Sequence, residues 1–262
     1  MERDAVTLRK VWKVFRSGQV ETFDDDLLRE RTLTLVVDGK EEAVVVLSPG
    51  DEELWALGHL FSKRMIGSRD EILSVETTAD GLSVRRRLPL RGLTPESRPV
   101  RRASAGPSEA CGGRKAPPPL PVRWALEAAS LFEAVDALAE GPLFRRTGSA
   151  HVALLASKEG RPLFRVEDGG RHNAMDKAIG WAVREGIDLA DCFMALSGRL
   201  AADMVRKALD AGLPLLASVS AATASGVETA AAGGVTLVGF VRKGKMNVYS
   251  VPERIVELAP RA

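Results

Sequence analysis

Residues 192–219, Cys-Phe-Met-Ala-Leu-Ser-Gly-Arg-Leu-Ala-Ala-Asp-Met-Val-Arg-Lys-Ala-Leu-Asp-Ala-Gly-Leu-Pro-Leu-Leu-Ala-Ser-Val, hold two short apolar runs separated by a Ser-Gly-Arg turn and a segment of helical periodicity. Cys192–Leu196 has no polar position, as expected of a strand covered on both faces. Ala201–Leu209 carries apolar residues at helical spacing, and Leu213–Val219 is strand-like again. The same alternation extends outward. Val152–Ala156 and Leu163–Val166 read as strands, Asn173–Arg184 as a helix, Ala224–Ala232 as a helix, and Val235–Val241 and Asn247–Ser250 as strands. Val122–Leu138 reads as an amphipathic helix. Strands alternating with helices predict an α/β fold, here a layered domain over 121–262 with a largely parallel sheet. Ligands of such sheets bind at the carboxyl ends of the strands. Three polar runs fall there: 165–173, Ser197-Gly198-Arg199 and Ser218–Thr223.

The first part, residues 1–120, reads as a small α+β unit. Thr32–Asp38 and Glu42–Leu47 are β-branched runs flanking Asp38-Gly39, the signal of a hairpin. Ser48-Pro49 and the acidic Asp51-Glu52-Glu53 start a helix expected over 50–64, and 71–77 and 81–87 read as two more strands. From Pro89 to Pro121 periodicity is lost while Pro, Gly, Ser and Arg accumulate, which predicts a long loop.

Composition narrows the function. A chain of 262 residues with 45% hydrophobic content buries a full core, and a net charge of +2 is too small to imply general nucleic-acid binding. No apolar stretch is long enough for a membrane span, and Met-Glu-Arg-Asp opens no signal peptide, so the expected setting is the cytoplasm, with no nucleic acid and no membrane as partners. Two cysteines provide neither a disulfide framework nor a four-cysteine zinc site.

Chemistry concentrates in two places. Residues 165–177, Arg-Val-Glu-Asp-Gly-Gly-Arg-His-Asn-Ala-Met-Asp-Lys, set donors around a Gly-Gly pair at a helix entrance, where Arg171, His172, Asn173 and Lys177 suit an anionic ligand. Cys111 stands beside Gly112-Gly113-Arg114-Lys115, surroundings that favour a thiolate; it is a nucleophile or sulfur carrier, or an incidental cysteine. Cys192, inside an apolar strand, reads as inert core. His172 and Asp176, four residues apart, fit a metal or acid–base pair, or a helix cap and ion pair, and His151 is either a site residue or a half-buried one. His59, amid apolar helix positions, reads as core. Phe240-Val241-Arg242-Lys243-Gly244-Lys245 is a cationic tip that suits phosphate or is merely solvated, and the arginines at 85–87, 91, 98, 101 and 102 read as a solvated or protein-docking face.

Taken together, Ser48–Leu54, Thr147–His151, Glu167–Lys177, Ser197–Arg199, Ser218–Thr223 and Val238–Arg242, in this order, resemble the formate dehydrogenase accessory sulfurtransferase family (FdhD/NarQ). The resemblance implies a cytidine-deaminase-like α/β domain, paired as a homodimer. It implies a sulfurtransferase that takes persulfide sulfur from a cysteine desulfurase on Cys111 and passes it to the molybdenum bis-molybdopterin guanine dinucleotide cofactor for formate dehydrogenase. Arg171, His172, Asn173, Lys177, Ser197, Gly198, Arg199 and the stretch Phe240–Lys245 would hold that cofactor. The family's loop carries Cys-Gly-x-Cys-Gly, whereas this chain has Ser108-Glu-Ala-Cys111-Gly-Gly-Arg114, so a two-cysteine relay is excluded and a non-catalytic cofactor chaperone competes. Val166, Gly169 and Ala222 are smaller departures. A metal-dependent deaminase or hydrolase is a third, weaker alternative.

Overall fold

The computed structural model describes residues 5–78, 80–87, 101–103 and 118–260. The chain opens with a two-stranded antiparallel ribbon, β1 (Val6–Val14) and β2 (Val20–Leu28), that joins no larger sheet. Next comes the hairpin of β3 (Arg31–Val37) and β4 (Lys40–Leu47). Its Asp38 and Gly39 take φ of 51° and 78°, the paired left-handed angles that match the twist of the flanking strands. Helix α1 (Glu52–Ser62) lays Trp55, Leu57 and Leu60 on Leu33, Leu35 and Val45 of this hairpin. β5 (Ile72–Thr78), β6 (Gly81–Arg86) and β7 (Arg101–Ala103) complete a five-stranded sheet of order β5-β6-β3-β4-β7. Thus the expected 89–121 loop contains a short strand. Arg86, from the arginine cluster, is tied inward to Asp38 and to Met65 O, so it supports the fold and offers little to a partner.

After residue 118 the chain runs extended before α2 (Ala128–Asp136), so the helix expected from Val122 starts late. Leu126 bridges to Ile255 and the Trp124 indole donates to Ala190 O, and both contacts hold the backbone extended. A short α3 (Pro142–Thr147) precedes β8 (His151–Ser157) and β9 (Pro162–Asp168), then α4 (Arg171–Glu185), β10 (Cys192–Leu196), α5 (Ala202–Ala211), β11 (Leu215–Ser218), α6 (Ala224–Gly233), β12 (Thr236–Arg242) and β13 (Lys245–Ser250). The sheet order is β13-β12-β11-β10-β8-β9. It is mixed, not largely parallel: the two helical crossovers make β10, β11 and β12 parallel, while β8 and β9 form a tight hairpin, as do β12 and β13. Along β10, Cys192, Met194 and Leu196 face α4 and α5, and Phe193 and Ala195 face α2. Burial on both faces explains the unbroken apolar run.

α1 and α4 pack together between the two sheets. Beside them lies a buried polar lock. Asp168 accepts from Ser48 N (3.1 Å), Gly170 N (2.9 Å), Asn173 Nδ2 (3.0 Å) and Lys177 Nζ (2.8 Å), and Lys177 also donates to Ser48 O. This lock joins the end of β4 to the start of α4, so both sheets meet at one edge. No helix among the described residues is long and apolar enough to cross a membrane.

Candidate functional site

The carboxyl ends of β10, β11 and β12 lie on a common edge, and α5 and α6 begin there. Antiparallel β8 starts at the same edge, and His151 pairs with Asp168 at the end of β9, which places the start of α4 alongside. Three helix N-termini therefore converge, each with unpaired N–H groups and a partial positive charge.

α4 is the informative one. Its first turn holds no acid and no side-chain cap but carries Arg171 and His172, against the dipole preference for negative charge, which is worth roughly 0.3–1 kcal/mol per residue. Asp203, in the first turn of α5, supplies the missing carboxylate: its Oδ2 lies 2.8 Å from His172 Nε2 and 3.7 Å from Arg171 Nη2. The hydrogen bond from His172, with help from Met204 N and Arg171, holds the Asp203 carboxyl down at about 2. Arg171 Nε is buried without a hydrogen-bond partner among the described residues.

His151 sits beside this pair. Its Nδ1 lies 3.2 Å from Ser197 Oγ, which accepts from Val152 N at 2.9 Å. Ser197 Oγ thus ties the start of β8 to the His151 ring. Burial, reinforced by the nearby Arg171 charge, lowers the His151 pKa and favours the neutral ring. A Cβ on Gly198 would come within 3.2 Å of Arg171 and 3.3 Å of His151, so glycine lets the turn close against both. From there hydrogen bonds run along the edge: Ser218 Oγ to Gly198 O, Ser220 N to Ser218 Oγ, and Phe240 N to Ser220 O.

Of the residues expected at the site, Arg171, His172, Ser197 and Gly198 are brought together, and Arg199 is exposed on the same edge. Asn173 and Lys177 are not part of that group. Both are buried in the Asp168 lock, with Asn173 also bonded to Val46 O, because the α4 face they share turns toward β4. Val241 is 1% exposed and packs in the α2-side core, so its side chain has no open surface; Arg242, Lys243, Gly244 and Lys245 form the exposed β12–β13 tip, with Arg242 over the ring of half-buried Phe240. His172 and Asp176 do share a helix face, but each crosses to α5, to Asp203 and Lys207 respectively. Cys192 is buried, and burial pushes its thiol up to about 12. Cys111 lies outside the described residues, as do Arg91 and Arg98. Asp203 was not visible in the sequence, where an acid in a helix's first turn needs no further explanation.

Comparison with known proteins gives the following. Residues 28–256 match the family model described as the FdhD/NarQ family. A sulfur carrier protein FdhD from Anaeromyxobacter dehalogenans (strain 2CP-C) is 36% identical over 256 residues, 88% of each chain. One of the same name from Nocardia farcinica is 35% identical over 263 residues, 94% of each chain. A crystal structure assigned as a formate dehydrogenase accessory protein from Desulfotalea psychrophila superposes with a TM-score of 0.77 at 24% identity, covering 96% of this chain and 99% of its own, which supports the fold.

Proposed function

The chain belongs to the FdhD/NarQ family, and on that premise we propose that it is a sulfur carrier serving formate dehydrogenase. In this reading the Cys111 thiolate attacks the outer sulfur of a persulfide on a cysteine desulfurase. A new S–S bond forms on Cys111, the donor's S–S bond breaks, and the desulfurase cysteine leaves as its thiolate. The carried sulfur is destined for the molybdenum bis-molybdopterin guanine dinucleotide cofactor, bound here as cargo, in the reducing cytoplasm.

One observation carries the assignment to Cys111. Only two cysteines exist in the chain, and Cys192 is removed from thiol chemistry by its burial. The covalent tether is compatible with delivery. β7 runs parallel to β4, so at Ala103 the chain is heading toward Ser48 and the start of α4. Cys111 follows within a span of at most about 28 Å of extended chain. At the edge itself, Arg171 with its orphaned Nε, His172, the neutral His151 and exposed Arg199 suit phosphate oxygens, and the Arg242–Lys245 tip adds cations.

The reading includes a homodimer, supported by the β1–β2 ribbon. Leu8, Trp12, Val14 and Val20 share one face of it and are 57–70% exposed. Isolated hairpins are marginal in water, so this face calls for a cover. On that same face Lys10 of β1 pairs with Asp24 of β2, and Asp26 lies beside Leu8, so a two-fold contact can set basic β1 against acidic β2 of a second copy.

The test is sulfur loading. Incubation with a cysteine desulfurase and cysteine should add the mass of one sulfur atom to a peptide containing Cys111, and Cys111→Ala should abolish both this and the activation of formate dehydrogenase. The lone loop cysteine favours a second reading, a chaperone that binds the cofactor without carrying sulfur. Normal activation by Cys111→Ala would select it.

A further inference from the structure

We propose that Asp203 is a positioning residue for anion binding, acting through His172 and Arg171; this rests on the cofactor-binding reading of the edge. A carboxylate beside an anion-binding edge opposes the ligand by simple Coulomb repulsion. An edge selected for positive charge alone would carry a neutral residue at 203. Asp203 is instead held by two successive cationic or imidazole side chains from the neighbouring helix, at 2.8 Å and 3.7 Å.

The geometry explains what the carboxylate adds. An ionised carboxylate only accepts hydrogen bonds, so His172 Nε2 carries its hydrogen toward Asp203 in either charge state, and the ring cannot flip without losing that bond. The bond is charge-assisted. One turn further on, Asp176 and Lys207 form a second rung between the same two helices, so α4 and α5 are fixed in register at both ends of the pairing. The His172 ring is therefore oriented before any ligand arrives. Arg171 is treated differently. Its contact to Asp203 is long and its Nε has no partner among the described residues, so the guanidinium is kept near the edge with a donor unspent. Pre-orientation of this kind lowers the ordering cost of binding.

Guanosine diphosphate is the probe, with affinity measured by calorimetry on the full chain. Asp203→Asn should weaken binding about tenfold, the scale of one charge-assisted hydrogen bond. The same change made in a His172→Ala background should cost little more, because the group it orients is gone. Asp203→Glu, which keeps the carboxylate, should recover most of the affinity. A general loosening of the fold would instead weaken binding equally in both backgrounds and resist rescue, which overturns the proposal. Unchanged or tighter binding by Asp203→Asn also overturns it, since repulsion would then outweigh positioning, while leaving the edge as a binding site. Failure of the unaltered protein to bind the nucleotide removes both the proposal and the cofactor-binding reading beneath it.

Discussion

Gly58 of α1 and Gly180 of α4 meet backbone to backbone, so that a methyl group on Gly58 would fall on Asp176 O and one on Gly180 on Leu54 O. This contact brings the first sheet's helix against the second sheet's helix and places Ser48 over Asp168. No side-chain rearrangement relieves a clash with a carbonyl oxygen. Gly180→Ala should therefore cost about 3 kcal/mol, at the upper end of overpacking, despite alanine's better helix propensity. Urea denaturation of the variant checks this, and stability within experimental error of the unaltered protein would contradict the close crossing.

Lys177 makes the lock testable. Its side chain is 2% exposed and its ammonium faces the carboxylate of an Asp168 side chain that is itself fully buried. Lys177→Met removes one partner and strands the other, for an expected loss of about 3–5 kcal/mol. The double variant Asp168→Asn, Lys177→Met should recover part of it, because no buried charge is left unpaired. A ligand-binding lysine would behave differently: its removal would weaken binding with little effect on the denaturation midpoint.

The contrast between Lys177 and Arg171 shows where sequence reading stops. Both stand in one motif, and their residue types suit phosphate equally well. Only the direction in which α4 presents each face separates them, and that is set by the distant Ser48 and Asp203. Local signals fared better: Asp38-Gly39 dictated its turn, and Cys192–Leu196 matched its strand to the residue. The β1–β2 ribbon has no strand pattern in the sequence because, beyond buried Val6 at its base, neither face meets a core, so its apolar and charged residues never settle into an inside and an outside. Parallel and antiparallel strands, in turn, look alike until their partners are known.

Stability should fall as the pH drops from about 7 to about 5. Burial lowers the pKa of His59 well below 6.5, helped by Lys63 and Lys207, and burial with Arg171 lowers that of His151. The unfolded chain then takes up these protons first, so the stabilisation is complete above the unfolded pKa and is lost as pH falls through 6.5 toward the folded values. His59→Gln should flatten this part of the urea-midpoint profile. Asp203 adds a separate loss at lower pH: its carboxyl, at about 2 when folded and 3.8 as the reference, stabilises above about 4 and ceases to do so as pH falls through 2.

Thiol reactivity should divide the two cysteines. With a pKa of about 12, the Cys192 thiol is ionised in about one molecule in a hundred thousand at pH 7, and the surrounding core excludes reagent as well. Iodoacetamide should leave Cys192 unmodified in native Cys111→Ser protein and label it only after unfolding. Labelling of the native variant would reopen Cys192 as a sulfur carrier and remove the main support for assigning that role to Cys111.

The ribbon gives the last prediction. Trp12 and Val14 are 69% and 70% exposed on the face that also carries Leu8 and Val20, and the ribbon's base is fixed to α3 by Arg146 and Asp26 at 3.0 Å. The base thus holds the arm out while its apolar face remains uncovered. Burying a Trp side chain contributes on the order of 3 kcal/mol, so a two-fold contact that covers both copies depends heavily on this residue. Trp12→Ser should shift the protein from dimer to monomer in sedimentation equilibrium while leaving the thermal midpoint of the α/β domain, measured at high dilution, unchanged. Reversing Lys10 alone should also weaken the dimer, and reversing Lys10 and Asp24 together should restore it. If the unaltered chain sediments as a monomer at all accessible concentrations, the ribbon does not pair with its own copy.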